Sequence, residues 1–453
     1  MRQYETYKNS EAQWVGKVPS NWKRTRIKFL LSRSSAGVWG DDEKGDANDI
    51  ACFRVADFDY EHGCLSFDKL TYRNIEPKQL QGRMLSLGDL LIEKSGGGDA
   101  TPVGRVVRYN YADNATCSNF VHSVSINNNC LSDYLYYYFF AMYANKENLL
   151  YFNQTTGIQN LKVGDYLSQT IFLPPLSEQR EISSYLDKKC AEIHKAIATQ
   201  QKRIELLQEL RQNIITHAVT HGINPDALLK DSGVEWIGMV PKHWEVRKIK
   251  SIIKLLTDYD ANGSFADIAK NCNINNGNPY AWMVRATDLE NKRYGIVDGN
   301  NYCDLATYNY LSKSSLHADD ILIAKRGEIG KSYLVPPCDD PMTLAPNTYL
   351  LLTNKEIVNN RYFFYYLQSG GGVENLRILN KSTTLGALYK DDVKAMQIPL
   401  PSIKEQEAIV TYIEAETAKL DKQIAKANRQ ISLLQELKQS IITEVVTGKR
   451  KVC

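Results

Sequence analysis

One stretch of this chain is written twice, and that repeat constrains every fold open to it. Leu173–Thr220 reads LPPLSEQREISSYLDKKCAEIHKAIATQQKRIELLQELRQNIITHAVT, and Leu400–Thr447 reads LPSIKEQEAIVTYIEAETAKLDKQIAKANRQISLLQELKQSIITEVVT. Glu178-Gln179 matches Glu405-Gln406, LLQEL at 206–210 matches LLQEL at 433–437, and Ile214-Ile215-Thr216 matches Ile441-Ile442-Thr443. All three pairs lie 227 positions apart. A repeat this long is one structural unit used twice.

Each copy predicts one long helix. Pro174-Pro175 and Pro399/Pro401 stand just ahead of it, where proline is tolerated, and neither proline nor glycine interrupts the body. Ser177 is the expected N-cap, with Glu178 and Glu181 in the first turn beside the positive end of the helix dipole. Apolar residues recur at seven-residue steps. Leu186, Ile193, Leu207 and Ile214 form one line, matched by Ile413, Leu420, Leu434 and Ile441. A second line runs through Ile182, Ile197 and Ile204, matched by Ile409, Ile424 and Ile431. A narrow apolar seam flanked by Lys, Glu and Gln is a coiled-coil pattern, and its twofold use favours pairing of the two copies with each other. Roughly 40 residues at ~1.5 Å each make a rod of about 60 Å, the dimensions of a spacer.

The repeat extends beyond the helices. Lys8-Asn9-Ser10 and Trp14-Val15-Gly16-Lys17-Val18-Pro19-Ser20-Asn21-Trp22 return as Lys230-Asp231-Ser232 and Trp236-Ile237-Gly238-Met239-Val240-Pro241-Lys242-His243-Trp244. Tryptophans flanking Gly-x-Val-Pro predict a turn pinned by large apolar anchors, with a structural task. Between this entrance and each helix lie about 150 residues in which similarity is weaker: Phe53–Phe58 echoes Val284–Leu289, Gly88–Lys94 echoes Asp319–Lys325, and the aromatic run Tyr134–Phe139 echoes Tyr362–Leu367. Short apolar runs separated by Gly, Asn and Asp read as strands and turns with a helix or two, so each copy is an α+β domain. Copy two carries nine extra residues near Asp258–Asn278, opposite Gly37–Asn48. Loops accept insertions freely, so the alternatives here are mere tolerance and a pair of recognition loops that differ because each domain reads something different.

The expected organisation is a first globular domain over 1–173, a long helix over 174–222, a linker and second domain over 223–400, a second helix over 401–447 and a short basic tail over 448–453. At 453 residues such a chain has room for two or three real cores. No segment has the apolar length of a membrane span, and MRQYETYKNS is no signal peptide. Nine scattered cysteines without a Cys-x-x-Cys indicate neither a zinc site nor a disulfide framework, and an odd count points to a reducing cytoplasm. A net charge of +3 permits nucleic-acid binding without demanding it.

Catalytic motifs fail one after another. Gly327–Ser332 resembles the end of a phosphate-binding loop, but the pattern needs glycine at 325, where Lys325 stands. Asn278-Pro279-Tyr280 lacks the second proline of an amino-methyltransferase motif, and no glycine-rich fingerprint accompanies it. Glu93 and Lys94 are adjacent, which sends them to opposite faces of a strand and leaves them unable to hold a metal together. His122, His194, His217 and His221 form no metal pair with a carboxylate. No catalytic residue and no metal site is expected.

What survives is binding. Lys94-Ser95-Gly96-Gly97-Gly98 and Lys325-Arg326-Gly327 follow equivalent strands, with Arg105 and Lys331 close behind. Cations on flexible turns suit phosphates and guanine edges. Arg54 and Arg285 are further candidates, although each precedes an aspartate with which it could form a local ion pair. The polar loops around Thr156 and Thr384 could line the same surface.

The Trp-x-Gly-x-Val-Pro-x-x-Trp entrance, the Leu-Pro-x-x-x-Glu-Gln helix start and the Leu-Leu-Gln-Glu-Leu run, each present twice, resemble the specificity subunit of a type I restriction-modification system. The resemblance covers nearly the whole chain. It implies two pseudo-symmetric target-recognition domains, each followed by a long helix, the two helices pairing as an antiparallel coiled coil. It implies a non-catalytic subunit that reads a bipartite, asymmetric double-stranded DNA target, one half per domain, with helix length setting the gap. It also implies two modification subunits that methylate adenine and two restriction subunits that cleave. S-adenosylmethionine, ATP and Mg would then belong to those partners. The competing readings are a coiled-coil scaffold unrelated to DNA and the specificity half of a fused methyltransferase or nuclease.

Overall fold

The computed structural model describes residues 3–155, 157–326, 330–379 and 388–452. Its contacts divide the chain into two compact units: unit 1 is Met1–Lys202 with Ala427–Cys453, and unit 2 is Arg203–Lys426. Both divisions fall inside long helices, at Leu176–His221 and Ile403–Val446. Each unit therefore owns the first part of one long helix and the last part of the other.

In unit 1 an antiparallel sheet runs in the order Val106–Arg108, Leu90–Glu93, Val121–Ile126, Leu31–Ala36. Leu90–Glu93 is buried throughout, so its apolar run does not alternate. A second sheet orders Ala115–Cys117, Asp49–Phe53, Tyr72–Asn74 and Asp41–Asp42, its first two strands parallel. The aromatic helix Ser132–Ala144 packs Tyr134, Leu135, Phe139 and Met142 into one core with Ile182, Leu186, Ile193 and Ile197 of the first long helix and Ile441, Ile442, Val445 and Val446 of the second.

Unit 2 repeats this plan. Its antiparallel sheet orders Ser332–Leu334, Ile321–Ala324, Thr348–Thr353 and Ile253–Asp258, and its second sheet again holds a parallel pair, Ala281–Val284 with Met342–Leu344. Tyr362, Phe363, Tyr366 and Leu367 of the helix Asn360–Gln368 join Ile215, Ala218 and Val219 of the first long helix and Ile409, Val410 and Ile413 of the second. In each unit the start of one long helix packs with the end of the other, so the pair is antiparallel.

The repeated motifs meet where those helix ends converge. Trp22 and Trp244 are both buried, and their indole N–H groups donate to Glu178 Oε1 at 3.2 Å and Glu405 Oε1 at 2.9 Å. Gln179 and Gln406 have no exposed surface. Gln179 Oε1 accepts from Leu131 N at 2.8 Å and Gln406 Oε1 from Asn359 N at 2.7 Å, in each case the residue that opens the aromatic helix; the other amide ends donate to Pro174 O and Pro401 O, both at 2.9 Å. The opposite helix ends close on the same tryptophans. Gly448 and Gly222 adopt positive φ of 73° and 77°, and an added Cβ would meet Trp22 and Pro19 in one unit and Trp244 and Pro241 in the other. Only glycine suits both requirements.

Two expectations need correction. Ser177 is not the N-cap: Pro175 O accepts from Gln179 N at 2.9 Å, so the helix opens two residues earlier and Ser177 lies in its first turn. The second helix does have a serine at that place, with Ser402 Oγ accepting from Glu405 N at 3.4 Å. The seam is also uneven. Leu186, Ile193, Ile413, Leu420 and Ile441 are buried, whereas Ile204, Leu207, Ile214, Ile431 and Leu434 are half-buried, because two helices alone shield less surface than a helix pair lying on a globular core. Among the described residues no helix is long and apolar enough to cross a membrane, and no cluster could hold a metal ion.

Candidate nucleic-acid interface

In unit 1 the strand Leu90–Glu93 runs into the Lys94 turn. There Ser95 and Gly96 pair with Asn160 and Gln159 of a hairpin whose other strand is Phe152–Thr155. The glycine-rich turn and the polar loop thus form one surface. Ser95 is buried and donates from Oγ to Asn160 Oδ1 at 2.7 Å, so it supports the hairpin and does not face outward. Asn153, Gln154 and Asn160 are exposed, and amide side chains of this kind suit adenine edges. Thr156 lies outside the described residues, as does Thr384.

Most of the proposed cations are already partnered. Arg105 donates from Nε to the buried Glu93 at 2.9 Å and stacks over the Tyr60 ring, 3.6 Å from its centroid. Lys325 is buried between Asp258 at 3.0 Å and Asp260 at 2.7 Å. Burial opposes the charge of Lys325, but the hydrogen bonds it donates to the two aspartates raise its pKa above the ordinary lysine value. Burial likewise works to raise the Asp258 carboxyl, and hydrogen bonds from Lys390 and Lys325 bring it down below its usual range. Lys331 pairs with Glu290 at 2.6 Å. Arg54 holds Asp57 at 2.9 Å, and Arg285 holds Asp288 at 2.6 Å, each pair also closing a capping box at the start of a short helical turn. The local pairing is what these two arginines do in the fold. Charges matched this way are costly to expose and weak as phosphate ligands.

Lys94 and Arg326 differ: neither forms an ion pair among the described residues. Lys94 is half-buried and Arg326 exposed. The two units build the neighbourhood of this turn alike, with Lys94 N donating to Phe120 O and Lys325 N donating to Asn347 O, both at 2.9 Å. The side chains at these shared addresses diverge. Unit 1 presents Phe120, 49% exposed, beside the buried Ser95; unit 2 presents Asn347 beside Arg326. Arg326, Pro346 and Asn347 form a ridge between two cavities of about 680 and 490 Å³.

The inserted segment of unit 2 walls the larger cavity. Ser264 caps a helix over Phe265–Asn271, its Oγ accepting from Asp267 N at 3.2 Å, and Phe265, Ile268, Ala269, Cys272 and Ile274 line the cavity together with Arg326. In unit 1 the edge strand Asp41–Asp42 stands in the counterpart stretch. Sequence reasoning located the insertion but missed its helix and its outward phenylalanine. The Ser-x-x-Asp capping signature at Ser264–Asp267 was the available signal.

A sequence profile of the family described as type I restriction modification DNA specificity domain matches residues 85–205 and 241–431. The chain belongs to that family. It is 23% identical over 465 residues, 99% of this chain and 97% of the other, to a Methanocaldococcus jannaschii chain named for the specificity subunit of type I restriction enzyme MjaX. It is 24% identical over 323 residues, 70% of each chain, to the MjaVIII specificity subunit of the same organism. Among solved structures, a chain from work on the complex assembly and conformational transition of a type I R-M system superposes with a TM-score of 0.69 at 15% identity, over 95% of this chain and 98% of that one. The HsdS subunit from Thermoanaerobacter tengcongensis does so with a TM-score of 0.51 at 15% identity, over 98% and 100%. Likeness at this identity establishes the fold.

Proposed function

We propose that this chain is the non-catalytic DNA-reading subunit of a type I restriction-modification complex in the cytoplasm, each unit reading one half of a split, asymmetric sequence. The observation that carries the reading is one scaffold built twice with different side chains at the same addresses: the inward Ser95 and the exposed Phe120 in unit 1, the exposed Arg326 and Asn347 in unit 2. Equal scaffolds present DNA-contacting groups in equivalent ways, and unequal side chains select different bases. The antiparallel helix pair sets the unread gap, as the spacing of two binding modules sets the spacing of half-sites.

The same helices dock the partners. Leu206 and Leu210 are 54% and 46% exposed, and Leu433 and Leu437 are 46% and 47% exposed. Each is an apolar pair one helical turn apart, repeated once per unit, which suits two copies of one partner. Those partners are the modification subunits, supplying S-adenosylmethionine and adenine methylation, and the ATP- and Mg-dependent restriction subunits. Phosphate contact by partners accounts for the low net charge of +3.

The test is long-read mapping of methyladenine in cells carrying the modification partner with and without this chain. A split motif that appears only with the chain is expected; no new methylation sinks the reading. A four-residue insertion after Ile204 should widen the gap and leave both halves readable, and an unchanged gap removes the spacer role.

A further inference from the structure

Phe265 is 91% exposed, more than any other large apolar side chain among the described residues. It is not on a frayed end. It opens a capped helix whose Ile268 is buried, within the segment that unit 2 has and unit 1 lacks. Leaving a phenyl ring in water forfeits the free energy its burial would return, so a fixed, fully presented ring at the mouth of a cavity is suited to a ligand. The same cavity is lined by Arg326, exposed and without an ion pair among the described residues, and by the exposed Asn347. Asn347 is held at a φ of 76°, a backbone state that asparagine tolerates better than most residues. Lys270 on the same helix and Lys313, which hydrogen-bonds Ala261 O at 3.2 Å, are exposed positive charges of the same unit.

From this juxtaposition we propose that Phe265, Arg326 and Asn347 form the base-reading site of unit 2. Phe265 lies against a base face or wedges at a base step, while Arg326 and Asn347 hydrogen-bond base edges. The groups match the chemistry of that ligand. An aromatic ring stacks on any base, a guanidinium pairs with guanine O6 and N7, and an amide pairs with adenine N6 and N7. Lys325 takes no direct part, because Asp258 and Asp260 consume its charge; it anchors the turn from which Arg326 projects. Unit 1 offers a reduced version of the same arrangement, with Lys94 and Phe120, and so should read its half by other contacts.

The inference rests on the DNA-reading role above, and the experiment separates the two. The full chain, assembled with its modification partner, is compared as wild type, Phe265→Ala, Arg326→Gln and Asn347→Gly, the last removing the amide without straining the left-handed backbone. Methylated motifs are mapped in cells, and binding to a duplex carrying the wild-type motif is measured by fluorescence anisotropy at fixed salt. Arg326→Gln and Asn347→Gly should relax base preference within one half-site and leave the other half intact. Phe265→Ala should weaken binding by about tenfold to a hundredfold. Unaltered motifs and affinities in all three variants overturn the site, as does loss of complex assembly in place of loss of DNA binding, which would make Phe265 a partner contact. If the wild type itself yields no split motif, it is the DNA-reading role that fails.

Discussion

The two units use the same residues where the long helices meet the globular part and different residues at the DNA-facing candidate surface. Trp22, Glu178 and Gln179 have counterparts in Trp244, Glu405 and Gln406, with the same hydrogen bonds. By contrast, an edge strand at Asp41–Asp42 stands where unit 2 has the capped helix Phe265–Asn271, and Ser95 stands where unit 2 has Arg326. Parts that do the same work in both halves are held by buried polar bonds that tolerate little change. The parts we propose to select lie on turns and loop segments where change costs the fold little.

A third address is intermediate. In unit 1 Lys438 Nζ lies 2.7 Å from His194 Nε2 and also donates to Glu61 O at 2.7 Å; in unit 2 the repeat places Arg211 3.4 Å from Asp421. One unit has an ion pair here and the other a lysine beside an imidazole. Burial, followed by the Lys438 and His62 charges, pushes His194 down to about 4 against the raising effect of Asp59, and burial lowers Lys438.

The comparison can be broken most forcibly at the shared knot. Trp244→Ala should destabilise unit 2 by about 3–5 kcal/mol, the range for a buried tryptophan, and calorimetry should show the loss in thermal unfolding. A shift below about 1 kcal/mol would mean that the knot does not hold the unit together. Gln179→Ala removes the acceptor for Leu131 N and should cost about 1–3 kcal/mol in denaturant unfolding, with Gln406→Ala matching it. Unequal losses would show that the two knots differ in energy despite equal geometry.

The smallest effect is at the His–Lys address. A histidine whose folded pKa is depressed binds its proton less readily in the folded state. Its penalty is absent above the unfolded value of 6.5 and grows as pH falls towards about 4. His194 is only half-buried, so after solvent screening the loss should be about 1 kcal/mol. His194→Asp copies Asp421, gives Lys438 an anionic partner and should flatten stability between pH 6.5 and 4, read from thermal midpoints across that window. A histidine-like slope retained by the variant would place the titrating group elsewhere.

Much of this was legible in the chain. The doubled Leu173–Thr220 segment called for two long helices, the seven-residue spacing named a line that is buried over part of its length, and the entrance tryptophans announced anchors. These signals are local and periodic. Even the Arg54–Asp57 and Arg285–Asp288 pairs can be read directly, since partners three residues apart meet on a single turn. What the sequence by itself determined was therefore the repeat, the two long helices and the anchors at each entrance. Only the tertiary structure decided which cations remain available. Arg105 finds Glu93 across a strand pair, Lys331 finds Glu290, and Lys325 finds Asp258 and Asp260 at the end of a strand one removed in the same sheet. No spacing rule reports those meetings, because they arise only when the sheet brings distant strands side by side. Setting these aside leaves Lys94 and Arg326 without an ion pair among the described residues, and on the cavity that Arg326 lines, a phenylalanine that the linear pattern had hidden inside a loop.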